Sequence, residues 1–100
     1  MNTLQKIKNV VNEFGAEDVI LFGSRAKQSA DKFSDYDILA IFTSQLSGKE
    51  KINIASRIRK RLAENFIDVD ILVRNKKDVE CERLQLGSVI KNAMKEGVAL

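Results

Sequence analysis

One hundred residues hold one domain, residues 1–100, with room for one compact core, and 44% apolar with 31% charged residues excludes a wholly disordered chain. No apolar run approaches the ~20 residues that a membrane helix needs, and the absence of histidine with a single cysteine, Cys81, excludes a Ser-His-Asp triad, a Cys-His pair, a His-ligated metal and an internal disulfide. Seventeen Lys and Arg against 14 Asp and Glu leave a net charge of +3, which permits a polyanionic partner without demanding one.

The elements alternate along the chain. Leu4, Ile7, Val11 and Phe14 recur at helical spacing and predict a helix over 3–14, with Gly15 placed to end it. The apolar run 18–22 predicts a buried strand, and 35–43 a second one. After a turn at 44–48, Ser47 and Glu50 stand at capping-box spacing, and Ile54, Ile58 and Leu62 predict a helix over about 49–64. The β-branched stretch 66–73 predicts a third strand. Residues 78–96 predict a last helix with Leu86, Ile90, Ala93 and Met94 on one side, open to a break at Gly87 and stopped by Gly97, and 98–100 a short closing strand. The fold class is therefore α/β (α+β): a small mixed sheet with helices packed against it.

Aspartate inside strands is the unusual feature, because its side chain competes for backbone hydrogen bonds and is depleted there. Asp35 and Asp37 share one face of their strand, and Asp68 and Asp70 share one face of theirs. The opposite faces, Tyr36, Ile38, Ala40 and Phe42, and Ile67, Val69, Ile71 and Val73, suit a core. If the two strands are neighbours, three or four carboxylates converge, and their mutual repulsion either raises a pKa or draws in a cation. An all-oxygen donor set suits Mg²⁺, with Mn²⁺ as the alternative. A pair of such ions on an Asp-x-Asp is an arrangement for phosphoryl and nucleotidyl transfer. Gly23-Ser24, directly after the first strand and before Arg25-Ala26, offers free N–H groups and a hydroxyl to a phosphate oxygen. The spacing is neither that of a Walker A loop nor that of a dinucleotide fingerprint.

Taken together, residues 23–42, GSRAKQSADKFSDYDILAIF, resemble the signature of the nucleotidyltransferase superfamily related to DNA polymerase beta. Nearly the whole chain is similar to the minimal nucleotidyltransferases, the small antitoxin-type partners of HEPN proteins. The resemblance implies the nucleotidyltransferase fold and a Mg²⁺-dependent enzyme, with two ions, that transfers AMP from ATP, or another nucleoside monophosphate from its triphosphate, to a hydroxyl on a HEPN-type partner. Gly23 and Ser24 would then hold the nucleotide's phosphates, with Arg25 or Lys27 near the triphosphate. Asp35 and Asp37 would bind the ions. Asp70, ahead of Ile71-Leu72, matches the third carboxylate, and Asp68 is its rival. Two departures stand out: Lys27-Gln28 follow GSRA where many relatives carry Arg-Gly, and no aromatic residue ends the final strand.

A binding module that silences its partner by contact alone is the alternative function. Arg57, Lys60 and Arg61 crowd one side of the 49–64 helix, with Arg59 off to the side, so nucleic acid is a further candidate. No aromatic residues are interleaved for base stacking, and a solvated helix face is favoured. Cys81 has no adjacent base and reads as a passenger. One cysteine and an N-terminus without a secretory signal predict a cytoplasmic protein.

Overall fold

A computed structural model describes residues 2–23, 35–82, 85 and 88–100. Helix α1 (Thr3–Glu13) leads into β1 (Asp18–Phe22). Strand β2 (Tyr36–Phe42) is followed by α2 (Gly48–Ala63), β3 (Val69–Asn75), α3 (Lys76–Glu82), α4 (Val89–Glu96) and β4 (Val98–Ala99). The strands form one mixed sheet in the order β3-β2-β1-β4. β1 runs antiparallel to β2 and β4, whereas β2 and β3 are parallel, joined by the α2 crossover. No helix among the described residues is long and apolar enough to cross a membrane.

Local chemistry sets the helix starts. The Asn2 side chain accepts from the Gln5 N–H at 2.8 Å and caps α1. Ser47 and Glu50 form the expected reciprocal capping box on α2, at 3.2 and 3.0 Å. The hydrogen bonds hold the Glu50 carboxyl below its ordinary range. Ser88 caps α4 through the N–H groups of Ile90 and Lys91.

Alternation along the strands supplies two cores, one on each face of the sheet. Val19, Leu21, Ile38, Ala40, Phe42, Val69, Ile71 and Val73 meet Ile7 and Val11 of α1 and Ile58 and Leu62 of α2. On the other face Ile20, Leu39 and Ile41 meet Val79 of α3 and Ile90 and Ala93 of α4. The strand faces expected to be apolar are thus the α1/α2 face. The expected stripe of α4 holds for Ile90 and Ala93, but Met94 is 37% exposed, and Leu86 and Gly87 lie outside the described residues. The helix expected over 78–96 is two helices, α3 starting at Lys76 and α4 capped by Ser88.

Two polar devices join the ends of the elements. Asn75, buried at the end of β3, accepts from the Leu46 N–H and donates to the Leu46 carbonyl, both at 3.0 Å, fastening the β2–α2 loop to the sheet. Asp78 accepts from the Lys51 ammonium at 2.6 Å and from the Asn75 N–H at 3.0 Å. These bonds, led by the one from Lys51, depress its carboxyl pKa.

The third strand starts at Val69 rather than Phe66 and runs on to Asn75. Residues 64–67 are taken up by the turn that closes α2, where the Ile67 N–H returns to the Leu62 carbonyl at 3.0 Å.

Candidate active site

The acidic residues sit where the α3/α4 face of the sheet runs out. Along β2 that face carries Ile41, then Leu39, then Asp37; along β3 it carries Leu72, then Asp70. The two carboxylate residues are direct register partners across the parallel β2–β3 ladder, which places their side chains about 5 Å apart. The ladder is held at this end by the Tyr36 N–H, which donates to the Asp68 carbonyl at 3.1 Å. Asp35 follows the same alternation one step before β2, and both it and Asp70 are exposed, whereas Asp37 is half-buried.

Electrostatics reports the convergence. The Asp37 carboxyl pKa is raised, first by burial and then by the negative charges of Asp70 and Asp35. The register distinguishes the two rivals on β3: Asp70 faces Asp37 directly, and Asp68 stands two residues further out, exposed, before the strand begins.

On the other side of Asp37 lies Gly23. The β1–β2 ladder pairs Phe22 with Asp37, so the residue after β1 arrives beside the carboxylate. Gly23 has φ +74°, and a Cβ built on it would overlap the Asp37 carboxylate oxygen and stand 3.1 Å from its Cγ. Glycine is thus required twice, for the left-handed backbone and for the close approach. Ser24, Arg25 and Lys27 lie outside the described residues.

The site therefore runs across three strands: Gly23 after β1, Asp37 on β2, Asp70 on β3. Its donors are hard oxygens, which fit Mg²⁺ or Mn²⁺. Among the described residues no three acidic or thiol side chains already stand in a metal-holding arrangement. The donor chemistry of Asp35, Asp37 and Asp70 suits divalent ions, and a cation beside Asp37 would offset the burial and the negative charges of Asp70 and Asp35 that raise its pKa.

Sequence reasoning missed one neighbour. A cleft of about 460 Å³ along the outer side of β3 is lined by Asp35, Asp68 and Asp70 and also by Arg59 and Ala63 of α2. Arg59 was legible only as the cation set off from its neighbours. Arg57, Lys60 and Arg61 gather elsewhere on α2 with Phe14 and Glu64. Arg61 is engaged there by Glu13 at 2.9 Å and lies 6.0 Å from the Phe14 ring centre, as suits a solvated helix face. Cys81 is exposed on α3.

Comparison with solved structures shows the same fold. A toxin-antitoxin crystal structure with AMP-PNP contains a chain that matches at TM-score 0.63 and 20% identity, over 98% of this chain and 72% of that one. A Sulfolobus solfataricus protein described as a nucleotidyltransferase matches at TM-score 0.63 and 23% identity, over 96% and 77%. A structure of tri-AMPylated Shewanella oneidensis HEPN toxin in complex with MNT antitoxin matches at TM-score 0.54 and 18% identity, over 95% and 66%. No curated protein sequence gave a significant match. The sequence profile for polymerase beta nucleotidyltransferases matches residues 5–96, nearly the whole chain and every element that carries the site. The chain belongs to the polymerase beta nucleotidyltransferase family.

Proposed function

We propose that the protein is a Mg²⁺-dependent nucleotidyltransferase that moves AMP from ATP to a hydroxyl of a HEPN-type partner and acts as its antitoxin. The observation that carries this reading is the position of Asp37, in contact with Gly23 on one side and in register with Asp70 on the other. On this reading, backbone that would receive the phosphates and carboxylates that would hold the ions lie side by side. The similarity in fold to chains of toxin-antitoxin complexes, one with AMP-PNP and one with an AMPylated HEPN toxin, supports the choice of nucleotide and partner.

The reaction needs little covalent chemistry from the protein. The acceptor oxygen attacks the α-phosphorus of ATP and forms a P–O bond. The bond from that phosphorus to the bridging oxygen breaks, pyrophosphate leaves, and the hydroxyl proton is lost. Asp35, Asp37 and Asp70 would hold the ions, and Mg²⁺ bound there would supply charge neutralisation on the phosphates and acidification of the acceptor hydroxyl. Gly23 admits the phosphates beside Asp37 because it has no side chain. Asp70, exposed and at the edge of the cleft, orients the acceptor hydroxyl and accepts its hydrogen bond. Chemistry without histidine suits a chain that has none.

The test is transfer of label from α-labelled ATP in the presence of Mg²⁺ to the co-purifying partner, with wild type and Asp37→Asn side by side. A labelled partner with wild type alone is the expected result. Neutralisation of the partner by Asp37→Asn as complete as by wild type would instead establish a module that works by contact. Competition with CTP, GTP and UTP checks the choice of ATP.

A further inference from the structure

The sheet has two edges, β4 with two residues and β3 with seven. The bond from the Tyr36 N–H to the Asp68 carbonyl fixes which backbone groups of β3 are spent on β2. In a parallel ladder of this register, Asp70, Leu72 and Arg74 turn their N–H and carbonyl groups to β2, and Val69, Ile71, Val73 and Asn75 turn theirs outward. Such an outward row is a template for another strand, and proteins blunt it. Here one half is blunted. The Arg74 guanidinium donates to the Val73 carbonyl at 2.9 Å, and the Asn75 N–H donates to Asp78 at 3.0 Å. Both caps are fixed in turn, Arg74 by Glu82 at 3.2 Å and Asp78 by Lys51 at 2.6 Å. The other half is open. The N–H and carbonyl of Val69 and of Ile71, and the Val73 N–H, meet no donor or acceptor among the described residues.

The open half is the half that borders the acidic site. Val69 and Asp70 line the cleft of about 460 Å³, which reaches Ala63 of α2, so there is room outside the strand at this point. On its inner side Asp70 is the register partner of Asp37. A strand added on the outer side would set one residue opposite Asp70, on the same face and about 5 Å away. The residues before and after it would point to the α2 face, where Ala63, Ile67 and Val69 line the cleft.

We infer that the open half of the β3 edge takes up an extended segment of a partner protein as a fifth strand, and that this strand carries the acceptor hydroxyl at the position opposite Asp70. The strand addition stands on the backbone geometry; the acceptor role rests on the nucleotidyltransferase reading. Main-chain chemistry selects the occupant. Outward N–H and carbonyl groups at strand spacing pair with another polypeptide main chain, whereas a sugar–phosphate backbone has no N–H donors for the Val69 and Ile71 carbonyls. A second copy of this chain fits badly. Antiparallel self-pairing about Asp70 sets the Asp70 carboxylates of the two copies against each other. Self-pairing about Ile71 or Leu72 calls on the Val73 carbonyl that Arg74 already caps.

The test is amide hydrogen exchange read residue by residue by NMR, with the uncharged peptide Gln-Val-Tyr-Val-Gln, acetylated and amidated, as the probe. In the protein alone the Val69 and Ile71 N–H groups should exchange faster than those of Asp70 and Leu72, although the Val69 and Ile71 side chains are buried. At saturating peptide, in the millimolar range, both should slow by about fivefold or more. Two N-methylated peptides read the pairing, one methylated on both valines and one on the tyrosine and the last glutamine. An added strand spends alternate N–H groups, so one form should lose about tenfold in affinity and the other keep the parent value. Equal effects of the two methylations, or no slowing at Val69 and Ile71, would overturn the inference. So would the same slowing by a short oligoadenylate, or protection without peptide that grows with protein concentration, which would give the edge to a second copy. With α-labelled ATP and Mg²⁺, label should reach the tyrosyl peptide and not its Phe counterpart. Slowed exchange with an unlabelled peptide would overturn the acceptor role. Loss of label on the co-purifying partner as well would count against the nucleotidyltransferase reading and leave the strand addition standing.

Discussion

Asp37→Asn should stabilise the ion-free protein while abolishing transfer. Asp37 and Asp70 are direct partners in the β2–β3 ladder, with charges about 5 Å apart. Their repulsion is about 0.8 kcal/mol in the dielectric of water and about 3 kcal/mol at an effective value of ~20. Asp70 is exposed and Asp37 half-buried, so the lower part of that interval applies, and we expect a gain of about 1 kcal/mol, or about 4–8 °C in Tm for a domain of this size. The sign follows from linkage. The Asp37 pKa is raised in the folded state by burial and by Asp70 and Asp35. Its contribution to stability is therefore fully present below the unfolded carboxylate pKa and lost as pH rises through the folded one. Asn keeps the neutral form at every pH. The assay is thermal unfolding followed by circular dichroism, with chelator present. The difference between variant and wild type should be largest at neutral pH and low salt, shrink at about 1 M salt, and fade as pH falls and Asp37, with its raised pKa, takes up its proton. Added Mg²⁺ should raise the Tm of wild type and not of the variant. A variant that melts below wild type at neutral pH and low salt would refute the reasoning, because the carboxylate would then be held by interactions that outweigh the repulsion.

Gly23→Ala should cost about 1–3 kcal/mol, from the left-handed φ and the overlap of its Cβ with the Asp37 carboxylate. Its ATP affinity, measured by calorimetry with Mg²⁺, should fall further than that of a surface variant of equal stability. Asn75→Ala removes both bonds to Leu46 and strands the Leu46 N–H and carbonyl, a loss of about 2–3 kcal/mol by urea denaturation, and Asn75→Asp should cost no less at neutral pH, because a buried carboxylate oxygen would then face the Leu46 carbonyl. Gly97 has an ordinary φ, yet a Cβ there would overlap the Ala93 carbonyl and the Ile20 side chain. Gly97→Ala should therefore loosen β4 first, seen as faster hydrogen exchange at the Leu100 N–H, which donates to the Val19 carbonyl at 2.9 Å.

The fold was legible where local chemistry and hydrophobic period agree. β1 was expected over 18–22 and is found at Asp18–Phe22, and the Ser47–Glu50 capping box sits where its spacing predicts. β3 was misjudged at its start because the run from Phe66 has uniform strand character. Only the bond from Ile67 back to Leu62 shows that the chain is still closing a helix there. Phenylalanine in a left-handed position runs against propensity, and no sequence pattern announces it.

The site divides along the same line. Alternation put Asp68 and Asp70 on one face but gave no means of choosing between them, since register is a property of two strands and a slip of two residues preserves the face. The ladder brings Asp70, not Asp68, opposite Asp37. Gly23 was singled out, with Ser24, for backbone N–H groups that a phosphate oxygen could take, but the group beside it in the folded chain is a carboxylate. On the proposed function, a triphosphate at Gly23 would carry its own negative charge close to Asp37, whose pKa is already raised by burial and by Asp70 and Asp35. Without cations between them, nucleotide and carboxylates would exclude each other. With ions present, the same crowding of negative charge would become affinity. Binding of ATP and of divalent ions should therefore be strongly and reciprocally coupled, and the coupling should disappear in Asp37→Asn, which no longer presents the charge that makes the ion necessary.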